Sequence, residues 1–289
     1  MTKSYDKKPR HHVHASVFGE RSKISAVPYI VWILLFTIIP FALVIYYAFT
    51  DSATGRFSLS NLASAGENLP VLIKSLTLAF VATFLCLIIA YPLAYIMSRK
   101  NAAVQRLFMM LVMLPMWMNF LLRTYAWMTI LEDNGIINSF FSSIGLPHVQ
   151  LINTSGAVIL GMVYNYLPYM ILPLFSIMCK IDNSTIEAAQ DLGCNASAVM
   201  RKVVIPLSFP GIATGITMTF VPCVSTFIIS RLLGGSDCYL IGDLIDEQFM
   251  TKGGFHPGSA MSLVLMIVVL ISMGILNQFD SDEMEDSIR

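Results

Sequence analysis

An all-α polytopic membrane protein with six transmembrane helices is predicted by three observations. The 289 residues are 56% apolar and 12% charged, with a mean hydropathy of +0.70, which lies outside the range of water-soluble domains. Six segments, about 27–49, 71–97, 104–130, 156–178, 209–231 and 258–276, each supply roughly the 20 apolar residues that ~30 Å of hydrocarbon requires. Finally, Lys and Arg are distributed unequally between alternate connections.

That inequality sets a topology. With the N-terminus inside, the inner segments hold Lys3, Lys7, Lys8, Arg10, Arg21 and Lys23, then Arg99, Lys100 and Arg106, then Lys180, Arg201 and Lys202, and Arg289. The outer segments hold Arg56, Lys74, Arg231 and Lys252. Positive residues beside spans stay in the cytoplasm, so both termini and the 179–208 loop are expected there. Net charge is zero and identifies no partner, nucleic acid included.

Residues 1–26 read as a solvated, disordered basic tail. The apolar run after it is too long for a secretory signal and no small-residue cleavage site follows, so a retained first span is expected. His11, His12 and His14 have no further ligands nearby, and no metal site is expected. Residues 277–289 form an acidic tail (Asp280, Asp282, Glu283, Glu285, Asp286). Between the tails, 27–276 is one transmembrane domain. The five cysteines, Cys86, Cys179, Cys194, Cys223 and Cys238, lack metal or C-x-x-C spacing and read as small apolar fillers without disulfides.

The first span carries Pro40, tolerable where neighbouring helices satisfy the freed carbonyl. Loop 50–70 is polar and expected outside. The second span ends with Tyr91 and Tyr95 near the inner face, and Lys74 at its outer end snorkels. The third span is unusual. Trp117, Asn119, Arg123 and Trp127 fall within 114–131, with Asn119 and Arg123 four apart and Trp127 a further turn along. An intramembrane arginine faces protein or water more often than lipid. Two readings stand side by side: Arg123 snorkels outward beside an aromatic belt, or it lines a translocation path. The fourth span carries Tyr164, Asn165, Tyr166, Pro168, Tyr169 and Pro173, features of close-packed or cavity-lining helices. Its tyrosine faces suit either an organic cation or hydrogen bonds to neighbouring helices. The outer loops hold eight acids (Asp51, Glu67, Glu132, Asp133, Asp237, Asp243, Asp246, Glu247) against four cations, an entrance that would concentrate a polycation. Asp243, Asp246 and Glu247 share a helical surface that could meet a solute or its carrier.

The stretch 184–211, STIEAAQDLGCNASAVMRKVVIPLSFPG, is polar and charged between two spans. Ser184 and Glu187 have capping-box spacing. Gly193 suits a left-handed helix end. Asn195 is placed to cap a second helix over 196–204, with Val199, Met200 and Val203 on one face, and Pro206 and Pro210 are expected to break the chain before the next span. A helix–turn–helix at the membrane surface follows, shaped for docking.

Glu187-Ala188-Ala189, Gly193 and Val203-Val204-Ile205-Pro206 resemble the E-A-A, G, I-x-L-P pattern of ABC importer permease subunits, with Val203 and Ile205 as apolar departures. The runs 114–131 and 161–178 and the sequence LIGDLIDEQFM at 240–250 extend the resemblance to permeases of polyamine (spermidine/putrescine) importers. Importers of other small organic cations and of iron share much of it. The resemblance implies a type I ABC importer permease fold in the bacterial cytoplasmic membrane. It also implies a second, homologous permease subunit, two copies of an ATPase and an extracytoplasmic solute-binding protein. Glu187, Ala188, Ala189, Gly193, Val203, Ile205 and Pro206 would couple to the ATPase, and Gly193→Asp would uncouple transport.

Catalytic chemistry is absent from the pattern. There is no G-x-x-x-x-G-K-[ST], zinc-helix motif or nucleophile elbow, so no enzyme activity and no cofactor are expected of this chain, and ATP hydrolysis would belong to a partner. A secondary transporter would carry coupling acids within its spans, and these spans contain no Asp or Glu. A membrane-embedded enzyme would cluster titratable groups at span ends, and the five histidines do not cluster there.

Overall fold

The computed structural model describes residues 27–51, 54–251 and 254–286, so the 1–26 tail, Lys252 and Arg289 lie outside the described residues. Contacts divide the chain into two compact units, Met1–Tyr46 and Tyr47–Arg289. The described residues form no strand; their extended pairing is a single bridge between Thr50 and Phe57.

Helix α1, Val27–Ala48, is apolar on every side, as a span surrounded by lipid or partner helices must be. In the larger unit, α2 is Ser60–Glu67, α3 Leu69–Ser98, α4 Ala102–Trp117, α5 Phe120–Leu131 and α6 Ile136–Ser143. Then come α7 Ser155–Met178, α8 Asn183–Asp191, α9 Ala196–Ser225, α10 Ile241–Met250 and α11 Phe255–Asp286. Among the described residues five helices are long and apolar enough to cross a membrane, or six if α4 and the bent stretch after it, Phe120–Ser143, form one span.

The centre is the mutual packing of α3, α7 and α9. Small residues permit it: Ala79, Ala82, Cys86, Ala90 and Ala94 repeat at three- and four-residue spacing along α3 and are wholly buried. A Cβ on Gly215 of α9 would lie 2.7 Å from Met170 Sδ on α7. With lipid as apolar as the helix surface, association comes from such close packing. All five cysteines are free thiols, with Cys86, Cys223 and Cys238 buried in these cores, as their apolar surroundings require.

Four local expectations are corrected. The third segment is not one straight helix over 104–130: α4 and the helix pair after it meet at 89°. Met118 is extended, and Asn119 Oδ1 accepts the N–H groups of Leu121 and Leu122 at 2.9 and 3.3 Å. Asn119 is therefore the cap of a new helix and does not share a helix face with Arg123.

Pro206 and Pro210 do not break the chain, because α9 runs unbroken from Ala196 to Ser225. A π turn over Met200–Val204 comes first, with Ile205 N–H reaching Met200 O. The same device, Leu34–Ile38, precedes Pro40 in α1. A proline has no N–H and its ring collides with the carbonyl four residues back; widening the turn to five residues removes that collision.

The fifth span ends at Ser225 rather than 231, with Thr226 extended and a short π turn at Ser230–Gly234 after it. Lastly, the Ser184–Glu187 capping box does not form. Helix α8 starts at Asn183 after Asp182, with no side-chain cap, which puts Ser184 inside the helix. At the other end of the chain, α11 continues as helix through the acidic residues to Asp286.

Candidate functional site: coupling segment and broken helices

Helix α8 stands exposed on one side and ends at Gly193, whose φ of +83° lies in the left-handed region that glycine alone adopts freely. Asn195 Oδ1 then accepts Ala198 N–H at 2.9 Å and starts α9. The reversal of direction depends on these two residues. The apolar stripe of the segment turns inward: Val199 and Val204 are buried with Ile181, and Tyr95, Ile186, Ala189, Cys194, Met200 and Val203 pack around them. The outer face keeps Glu187, Ala188, Ile205 and Pro206 exposed. It also presents Leu192, 86% exposed, the most exposed of the large apolar side chains among the described residues. Leu192 was not among the residues that the motif marks, yet it lies at the turn beside Gly193, where an aqueous apolar side chain most needs a covering surface.

Arg99 holds this segment to the spans. Its guanidinium donates to Ile181 O (2.9 Å), Met178 O (2.9 Å) and Asn183 Oδ1 (2.8 Å). Sequence pattern marks Arg99 only as an inner-face cation; its partners lie about eighty positions away, and no local signal announces them.

The second region lies where α4 and α9 stop, at Met118 and Thr226. Sixteen residues of α4 rise about 24 Å, short of the ~30 Å core. Irregular backbone at that depth persists only if buried in protein or lining a cavity. A cavity of about 180 Å³ lies there, lined by Phe120, Tyr166, Ser225, Thr226 and Phe227. Arg123 does not snorkel. It is 7% exposed, its Nε and Nη1 have no hydrogen-bond partner, and it lies within electrostatic reach of Tyr166.

The other path candidates scatter. Trp127 meets Tyr164 edge-on at 5.3 Å and is half-buried against the core. Asn165 is buried and donates to Gly161 O. Trp117 and Tyr169 are exposed, with Tyr169 6.3 Å from Tyr166. A buried, unpaired charge destabilises a fold, so Arg123→Met is expected to fold at least as well as the natural chain. Thermal aggregation in detergent checks this; a lowered transition temperature would contradict it.

The outer acidic group is largely spent within the chain. Asp243 is only 2% exposed, so it does not belong to an acidic surface. Its Oδ2 accepts Leu240 N–H at 3.0 Å, and Arg231 Nε stands 3.8 Å from its Oδ1. Burial pushes the Asp243 carboxyl above its ordinary value, more than the Ser230 hydroxyl, Leu240 N–H and Arg231 lower it. Arg231 binds Asp246 at 2.8 Å, and Tyr239 donates to Glu247. The group fastens α10 to the preceding turns. Asp243→Ala leaves Leu240 N–H unpaired at the start of α10 and is expected to cost about 1–2 kcal/mol, read as a lower denaturation midpoint, with Asp243→Asn milder. Among the described residues no cluster of three His, Cys, Asp or Glu could hold a metal.

Apolar spans pack around a small-residue core, with an exposed helical turn clamped to their ends. The chain belongs to the family of binding-protein-dependent transport system inner membrane components, which matches residues 90–281; it is a multi-pass permease subunit of an ABC importer. It is 35% identical over 253 residues to the spermidine/putrescine transport system permease protein PotB of Haemophilus influenzae, covering 83% of this chain and 87% of that one. The PotB protein of Escherichia coli K12 is 33% identical over 247 residues, covering 82% and 90%. The inner membrane ABC transporter permease protein YdcU of the same organism is 30% identical over 246 residues, covering 80% and 78%. Among solved structures, a chain of a bacterial ABC transporter that imports the acidic polysaccharide alginate superposes with a TM-score of 0.78 at 16% identity, covering 91% of this chain and 95% of that one. This last likeness shows the fold.

Proposed function

We propose that the chain forms half of the translocation pathway of an ATP-driven polyamine importer, moving spermidine or putrescine inward across the bacterial cytoplasmic membrane. The observation that carries this reading is the 33–35% identity, over more than four fifths of the chain, to permeases named for those two solutes. The acidic outer group adds little, since Asp243, Asp246 and Glu247 are already bonded within the chain; Glu132 and Asp133 remain exposed. The partners are a second, homologous permease subunit, two ATPase subunits that hydrolyse the ATP, and an extracytoplasmic binding protein that delivers the solute. The ATPase docks on Glu187, Ala188, Leu192 and the Gly193 turn, on the cytoplasmic side with both termini. The 30% identity to YdcU, whose name specifies no solute, supports a second reading, a permease for another small organic cation.

The test is uptake of labelled spermidine and putrescine into vesicles carrying this chain with its ATPase, permease and binding-protein partners. ATP-dependent accumulation of either is expected. Hydrolysis without accumulation of either would reject the solute.

A further inference from the structure

Tyr91 and Tyr95 of α3 and Arg99 just past its end, spaced by four, grip the coupling segment at three successive places. Tyr91 Oη lies 2.9 Å from Ser208 Oγ in the part of α9 that leaves the segment. Tyr95 packs on Ile181, Val199 and Val204, the buried apolar residues of the segment itself. Arg99, one residue past the end of α3, bonds Asn183 at the start of α8, the carbonyl of Met178 at the end of α7 and the carbonyl of Ile181 in the connection between them. Residues four apart lie along one stripe of a helix. The inner end of α3 therefore touches the segment where it enters, along its length and where it leaves.

We propose that this Tyr91–Tyr95–Arg99 stripe receives the motion of the coupling segment, with Arg99 as the clamp that makes α3 and α7 move together with α8. The inference rests on the docking of an ATPase at α8, given above. Four residues, 179–182, join α7 to α8, and such a connection alone would flex and absorb a displacement of α8. Arg99 bypasses it. One planar guanidinium donates to both sides of the connection, and its fork fixes direction as well as distance. A push on α8 is thereby carried into the last turns of α3 and α7, which belong to the packed centre of the larger unit. Packed helices respond by shifting as bodies rather than by deforming. Tyr91 brings the middle of α9 into the same movement through Ser208. Arg99 is a positioning residue in this scheme and touches neither solute nor nucleotide.

The test uses the whole transporter in proteoliposomes and reads assembly, ATP hydrolysis, and uptake per ATP hydrolysed. Arg99→Gln, which cannot span the three acceptors, is expected to keep assembly and hydrolysis while uptake per ATP falls about tenfold, the worth of a charged hydrogen bond. Arg99→Lys should recover part of the loss. Asn183→Ala cuts only the link to α8 and leaves the bonds to Met178 O and Ile181 O, so it should lower the same ratio with assembly intact. Uptake and hydrolysis falling together in proportion to lost complex would show a merely structural role and overturn the proposal. Should Arg99→Gln fail to assemble, Asn183→Ala decides: an unchanged ratio there overturns it. A natural complex that accumulates neither polyamine refutes the solute alone. The clamp is then read in the same variants as loss of hydrolysis stimulated by the binding protein, since that signal has to cross the same contacts to reach α8.

Discussion

Leu192→Asp is expected to reduce ATP-driven uptake to near background while the chain stays folded in the membrane. The side chain is 86% exposed and contributes to none of the buried clusters of the described chain, so its replacement should cost the fold little. On the assembled transporter the balance reverses. Burying a leucine against a partner is worth about 2 kcal/mol, and a carboxylate in its place both forfeits that and carries an unpaired charge into the contact. Docking should weaken by roughly thirtyfold or more per ATPase subunit. Co-purification of the ATPase with this chain measures it directly. Retention of the ATPase at the natural ratio, with normal uptake, would remove Leu192 from the interface.

Gly242→Val is expected to damage the fold itself severely. A Cβ at Gly242 would lie 2.6 Å from Thr226 O and 3.0 Å from Ser225 O. These are backbone atoms at the end of α9 and cannot move aside as a side-chain tip can. Helix α10 would be forced away from the end of α9, which strains the Asp243 cap and the Arg231 pairing together, at about 3 kcal/mol or more. Monodisperse protein recovered in detergent should fall steeply. Gly193 makes the informative contrast. A Cβ there meets nothing within 4 Å, so Gly193→Asp costs only the left-handed backbone, about 1–2 kcal/mol. That variant should reach the membrane folded and fail in transport, whereas Gly242→Val should fail before transport is measured.

What the sequence reveals and what it hides follow from how far each determinant reaches along the chain. Spans such as α3 and α7 are legible because length and apolarity alone decide them. The Gly193 turn and the Asn195 cap are legible because each acts within three or four residues. The break at Asn119 is concealed by the continuous apolar run around it, in which nothing but Pro115 and one asparagine marks a change of direction. Pro206 misleads for the opposite reason: the breaker is real, but a π turn just before it accommodates the missing N–H. Ser184 has the right spacing for a cap and loses it because α8 begins at Asn183, two residues earlier than that cap requires. Arg99 is the deepest omission, bonded across some eighty positions with no local pattern to announce it. Arg123 stands out in the sequence, but packing decides between its two readings. The i, i+4, i+8 spacing of Tyr91, Tyr95 and Arg99 was the available hint that α3 has a working face at its inner end.

If an ATPase moves this chain at the turn of Leu192 and Gly193, thiol labelling of Leu192→Cys in inside-out membranes will report it. Exposed Cys179 and half-buried Cys194 are first replaced by serine to remove their signal. Rapid labelling of the chain alone, protection when the ATPase is present, and a change in that protection between nucleotide-free and ATP-bound complex are the predicted results. Labelling that the ATPase leaves unchanged, in a complex that still transports, would contradict the account.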